Sequence, residues 1–166
     1  MLKPGDLAPE FVLPDENGDQ VALTQLLQAG PIILYFYPAD FTPGCTREAC
    51  AIRDIHEDIQ KVGLQVVGVS PQDEESHMRF KEEHNLQFTL VCDPDKVAIK
   101  MYDVDGPFGV GVRRVTYLIN QGKKIQGALQ ADVRVNRHKE FIEKAVILRE
   151  TAGMKVREPE DEAPQT

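Results

Sequence analysis

Four short strand-forming runs, PIILYFY (31–37), LQVVGVS (64–70), FTLVC (88–92) and RVTYLI (114–119), recur along the chain with helical patterns between them. The first three are apolar at almost every residue, so both faces of each strand need cover, which is the pattern of a sheet buried between helices. Ile52, Ile55, Ile59 and Val62 repeat at helical spacing with Gly63 as a stop, predicting one amphipathic helix that starts before them. Asp73 to His84 predicts an acid-rich helix that packs through Met78 and Phe80, with His77 and His84 at its surface or end. Asp95 to Tyr102 predicts a short helix. Val135 to Ala152 predicts a final one with Phe141, Ile142, Ala145 and Leu148 inward. FVLPDENGDQVAL, centred on Asn17-Gly18, predicts an N-terminal β-hairpin, and Gln121-Gly122 joins RVTYLI to the strand KIQGALQA. GPFGVG, Gly106 to Gly111, predicts a mobile loop before the Arg114 strand. Strands alternating with helices in this order imply an α/β sandwich with a mixed central β-sheet.

PIILYFY leads directly into PADFTPGCTREACAIRD, where the chemistry concentrates. Thr42 suits an N-cap, Pro43 suits the first helical position, and Cys45 then falls in the first turn. Free amide N–H groups and the positive end of the helix dipole favour thiolate there, and Arg47 adds positive charge. An accessible thiolate is the form a peroxide oxidises to sulfenic acid, which condenses with a neighbouring thiol. Cys50 lies five residues on. On an intact helix two such residues have Cα atoms roughly 8–9 Å apart, beyond the ~7 Å limit for a disulfide. A catalytic pair at this spacing therefore requires the helix start to unwind. A zinc site needs four clustered ligands, whereas Cys92, His56, His77, His84 and His138 stand singly, and there is no C-x-x-C dithiol. Cys50 as a small buried hydrophobe and Cys92 as a structural, buried or half-buried thiol are the plainer readings of those cysteines.

P-A-D-F-T-P-G-C, Pro38 to Cys45, resembles the P-x-x-x-T-x-x-C signature of the peroxiredoxins, and T-R-E-A-C-x-x-R-D resembles their bacterioferritin comigratory protein or PrxQ branch. The resemblance extends from Gly5 to about Gly153 and implies a thioredoxin-like fold. It implies a thiol peroxidase in which Cys45 is the peroxidatic cysteine and Cys50 the resolving one. Pro38 shields the site, and the Thr42 hydroxyl with the amides around Gly44 and Cys45 binds the peroxide. RVTYLIN resembles the family strand R-x-T-F-x-I-D, which selects Arg114 over Arg113 as the arginine at the sulfur; the terminal Asp is Asn120 here. Glu48 is by itself an ordinary first-turn acid, but in relatives it stands behind the reacting groups. The resemblance further implies thioredoxin or a similar dithiol as reductant, a monomer in preference to a dimer, and no cofactor or metal. A glutathione-peroxidase site needs a tryptophan, and the chain has none. The rival from another class is a non-catalytic redox sensor or holdase that uses the same cysteine switch.

A chain of 166 residues is expected to form one domain, here 1–153, followed by an acidic, proline-containing tail 154–166 expected to be disordered. Net charge of −8 without a basic run argues against nucleic acid as a partner. The opening MLKPGDLAPEF carries no basic region with an apolar core, and the apolar run Ile32 to Tyr37 is too short for a membrane span. With three cysteines, an odd number, a cytoplasmic setting is expected, although a removed transit peptide would leave no trace.

Overall fold

The computed structural model describes residues 1–156. In chain order these form β1 (Val12–Pro14), β2 (Gln20–Ala22), α1 (Leu23–Ala29), β3 (Ile32–Phe36), α2 (Pro43–Asp54), α3 (His56–Lys61) and β4 (Gln65–Ser70). There follow α4 (Glu74–His84), β5 (Thr89–Cys92), α5 (Val97–Met101), a 3-10 turn at Pro107–Gly109, β6 (Val115–Ile119), β7 (Ile125–Gln130) and α6 (Asn136–Val156). Five strands make a sheet of order β5-β4-β3-β6-β7. β3 pairs in parallel with β4 and antiparallel with β6, so the sheet is mixed as the alternation implies.

Period-two geometry divides the core. Ile32, Leu34 and Phe36 of β3 join a layer with Leu23 and Leu27 of α1 and Ala98 and Ile99 of α5. Ile33, Tyr35 and Tyr37 join the opposite layer with Cys45, Ala49, Ile52, Ile59, Phe80 and Ile142. The run is apolar throughout because helices cover both faces of a central strand.

Five details depart from the sequence reading. The single helix expected through Val62 is two, α2 and α3, broken at Ile55, whose N–H closes a tight turn on Ile52 O at 3.2 Å. The apolar repeat carries across the break because Ile52 and Ile59 stay in the same core layer. His77, expected at a surface, is completely buried. In α6, Leu148 is exposed and Val146 packs inward instead. The helix runs to Val156, past the expected start of the tail at Met154; the rest of that tail lies outside the described residues. Lastly, the loop at Gly106 to Gly111 is anchored, with Lys96 Nζ donating to Asp105 Oδ1, Gly109 O and Gly111 O at 2.8, 3.0 and 2.9 Å. The hairpin loop is likewise organised by one side chain, the Asp15 carboxylate accepting from the amides of Asn17 and Asp19.

Gly68 of β4 lies opposite Tyr35 of β3. A Cβ there would sit 2.9 Å from two Tyr35 ring carbons and 3.0 Å from Leu90 Cδ2. Gly68→Ala is therefore expected to destabilise the fold by about 1–3 kcal/mol through overpacking, read as a lower urea midpoint at unchanged slope.

Candidate active site

The site forms where β3 hands the chain to α2. Phe36 pairs with Val115, so the next residues outward, Tyr37 and Arg114, flank the same end of the two neighbouring strands. Backbone bonds fix residue 114 on both sides: its N–H donates to Asp132 Oδ1 at 2.8 Å, and its carbonyl accepts from Ala131 N at 3.1 Å. Alternation then turns Arg114 inward, 6% exposed, while Arg113 reaches the other way to Asp105 O.

At the start of α2, Thr42 is the N-cap residue in extended conformation and Pro43 occupies the first turn. The Thr42 hydroxyl does not cap the helix; it donates to Ala39 O at 3.2 Å. Phe41, just before it, holds φ of 62°, a left-handed conformation uncommon for a bulky residue. Cys45 is the third residue of α2 and is 1% exposed. The expectation of an accessible sulfur therefore needs revision: packing by β3 and α6 residues of its layer covers it. Pro38 is half-buried in the same loop. Gly44 leaves room for the arginine, since a Cβ at that position would lie 3.2 Å from Arg114 Nη2.

Arg114 Nη1 donates to Cys45 Sγ and to Glu48 Oε1, each at 3.3 Å. A guanidinium stays charged and is a strong donor, so this contact stabilises negative charge on the sulfur. Burial pushes Glu48 up to about 7, with Arg114 pulling in the opposite direction. The other carboxylate oxygen, Oε2, has no hydrogen-bond partner and lies 3.6 Å from His138 Nε2. His138 is fully buried, and burial lowers its pKa. Its Nε2 faces Ala131 O at 2.9 Å and its Nδ1 faces the Thr116 hydroxyl at 2.7 Å, contacts that one neutral tautomer satisfies. His138 is thus no counter-ion to Glu48, and the cation in contact with both Glu48 and the sulfur is Arg114.

Cys50 lies in the same wound helix, half-buried, and all three cysteines are unlinked. Arg47 is exposed on the outer side of α2. Cys92 sits apart on β5 with its thiol toward Asp15 O at 3.6 Å, and burial pushes it up to about 12. Four polar side chains buried beside the cysteine loop escaped the sequence reading: Asp40, His77, Thr116 and His138. No spacing marks them, because they meet through tertiary packing. Among the described residues no three His, Cys, Asp or Glu gather to hold a metal, and no helix is long and apolar enough to cross a membrane.

A family model described as the AhpC/TSA family matches residues 4–128. The chain is similar to Peroxiredoxin Bcp of Escherichia coli strain K12, 37% identical over 147 residues, or 85% of this chain and 93% of the relative. Chloroplastic Peroxiredoxin Q of Oryza sativa subsp. japonica is 41% identical over 123 residues, 74% of this chain and 56% of that longer one. Among solved structures, Peroxidoxin BcpB from Mycobacterium tuberculosis superposes with a TM-score of 0.83 at 30% identity, covering 89% of this chain and 98% of the other. Peroxiredoxin Q from Xanthomonas campestris gives 0.76 at 27% identity, covering 83% and 90%.

The Glu48 shift has a stability signature. A carboxyl raised from 4.5 to about 7 in the fold keeps its proton where the unfolded chain has lost it. Its contribution is complete at acid pH and declines as pH rises from about 4.5 to about 7. Glu48→Gln is expected to flatten that decline, measured as denaturant midpoints of both proteins across the window.

Proposed function

Since the chain belongs to the AhpC/TSA family, within the Bcp/PrxQ peroxiredoxins, it is a thiol-dependent peroxidase, and we propose that Cys45 performs the attack and Cys50 resolves the product. The observation that supports Cys45 most is the Arg114 guanidinium at 3.3 Å from its sulfur. The Cys45 thiolate attacks one oxygen of a hydroperoxide, the O–O bond breaks, and the other oxygen leaves as water or alcohol after gaining a proton. Cys45 becomes a sulfenic acid. Arg114 and the free amides of the α2 first turn meet the charge that develops on the oxygens, as an oxyanion hole does. Pro38 and the Thr42 hydroxyl are the further residues we assign to peroxide binding, on the family resemblance.

Cys50 then attacks the sulfenic sulfur, releasing water and forming a disulfide. Helical spacing forbids this bond in the wound α2, so the start of the helix unwinds in each cycle. A dithiol reductant of thioredoxin type restores both thiols and is itself oxidised to a disulfide. Hydrogen peroxide and alkyl hydroperoxides are the proposed substrates, a monomer the proposed working unit, and the cytoplasm the proposed location.

One equivalent of hydrogen peroxide added to reduced protein is expected to remove two hydrogens from the intact mass, with Cys45 and Cys50 linked in a non-reducing peptide map. A stable oxygen adduct, or a bond to Cys92 or to a second chain, would reject Cys50 as the resolving residue. Sustained peroxide consumption with thioredoxin separates turnover from a one-shot sensor. Arg114→Gln is expected to slow Cys45 oxidation by about a hundredfold while leaving the fold intact, as loss of one oxyanion donor does elsewhere. Rapid quenching with a thiol-alkylating reagent measures that rate.

A further inference from the structure

The loop between β3 and α2 is held on the side away from Arg114 by a buried polar cluster that the steps above do not use. Asp40 Oδ1 accepts from the Tyr37 hydroxyl at 2.7 Å, and its Oδ2 accepts from the Ser76 hydroxyl at 2.8 Å. The same Oδ2 lies 2.7 Å from His77 Nδ1, and both side chains are wholly excluded from solvent. His77 Nε2 lies 3.0 Å from Val91 O, which fastens the cluster to β5. The carbonyl of Val91 can only accept. Both ring nitrogens of His77 are therefore engaged, Nδ1 by Asp40 Oδ2 with the Tyr37 hydroxyl 3.4 Å away, and Nε2 by Val91 O. Short hydrogen bonds in a dry site fix geometry strongly.

The surroundings point the same way. Asp73 caps α4 through Ser76 N at 2.9 Å, which sets the helix turn that presents Ser76 and His77. Phe41, bent into its left-handed conformation directly after Asp40, packs its ring on Phe80 of α4 at 5.3 Å, with the Arg79 guanidinium carbon 5.5 Å from the ring centre. Tyr37, Asp40 and Phe41 are thus all tied to α4, within a few residues of a helix start that must open and close. If the loop moved with the helix, Cys45 would have no fixed place to return to beside Arg114.

We propose that Asp40 and His77 are positioning residues for peroxide attack: the buried pair pins the loop before α2 to α4 and β5, so that each rewinding of the helix returns Cys45 to the Arg114 guanidinium. The proposal rests on Cys45 as the attacking residue and, for the rewinding, on Cys50 as the resolving one. The pair touches no reacting atom and acts through the loop alone.

The test follows Cys45 oxidation by hydrogen peroxide in the full-length protein by rapid alkylation and intact mass, with the later disulfide step recorded in the same traces. Asp40→Asn and His77→Gln are expected to slow the first step by about tenfold to a hundredfold and to leave the disulfide step at the wild-type rate. Asn places its amide nitrogen where Nδ1 stands, and Gln places its own where Nε2 stands. His77→Asn, which keeps the bond to Asp40, is therefore expected to recover most of the rate that His77→Gln loses. A wild-type oxidation rate in folded Asp40→Asn would overturn the proposal. So would equal losses in His77→Asn and His77→Gln that track their melting temperatures, the mark of a purely structural role. Should Asp40→Asn not fold, Tyr37→Phe and Ser76→Ala each remove one donor to the carboxylate, and both must slow the first step; wild-type rates in the two would reject the idea. The wild-type protein run alongside keeps the two readings apart: failure of its Cys45 to oxidise rejects the peroxidase assignment, whereas normal wild-type oxidation with normal variants rejects only the latch.

Discussion

One guanidinium, that of Arg114, contacts two acidic groups, and the rest of the site is arranged around that sharing. Its Nη1 is 3.3 Å from both Cys45 Sγ and Glu48 Oε1, in a place from which water is excluded. Competition inside this triangle is physical. A charged Glu48 draws on the same guanidinium as the sulfur, and burial discourages it from being charged, which frees the arginine for the sulfur. Holding the triangle requires the β3–β6 register, the backbone clamp of residue 114 between Asp132 and Ala131, and the missing side chain at Gly44.

Much of this was legible in the chain. The apolar runs specified the strands because a central strand needs cover on both faces, and Pro43 specified the helix start because it suits the first turn, although the Thr42 hydroxyl turns to Ala39 O instead of capping it. The choice between Arg113 and Arg114 was closed to local reasoning. Alternation says that neighbours point apart, but which of them faces inward depends on the register against β3. His77 was misjudged for a similar reason. A lone histidine in an acid-rich helix is ordinarily solvated, and His77 is buried only because Asp40 and Val91 O, from two other elements, offer it partners. The break at Ile55 left no trace, since both halves face one core layer.

The cysteine helix faces opposing demands. On the proposed mechanism, oxidation of Cys45 calls for a wound α2 against a packed layer of Tyr35, Tyr37 and Ile142, whereas a bond to Cys50 calls for its start to open. A helix whose first turn lacks a side-chain cap, led in by a left-handed Phe41, meets both demands better than an optimally capped one. On the proposed cycle, the segment that must open lacks a side-chain cap, while the strands and the buried polar contacts around it stay tied.

The sulfur and the arginine that stabilises it are separated by 69 positions in the chain and brought together only by the pairing of β3 with β6. Contacts of such long sequence separation form late, after the local helices and after most of the chain has been synthesised. Until β6 is laid down, Cys45 lacks its guanidinium. On the proposed mechanism, the reactivity of Cys45 is therefore a property of the completed fold, in which β6 has brought Arg114 to the sulfur.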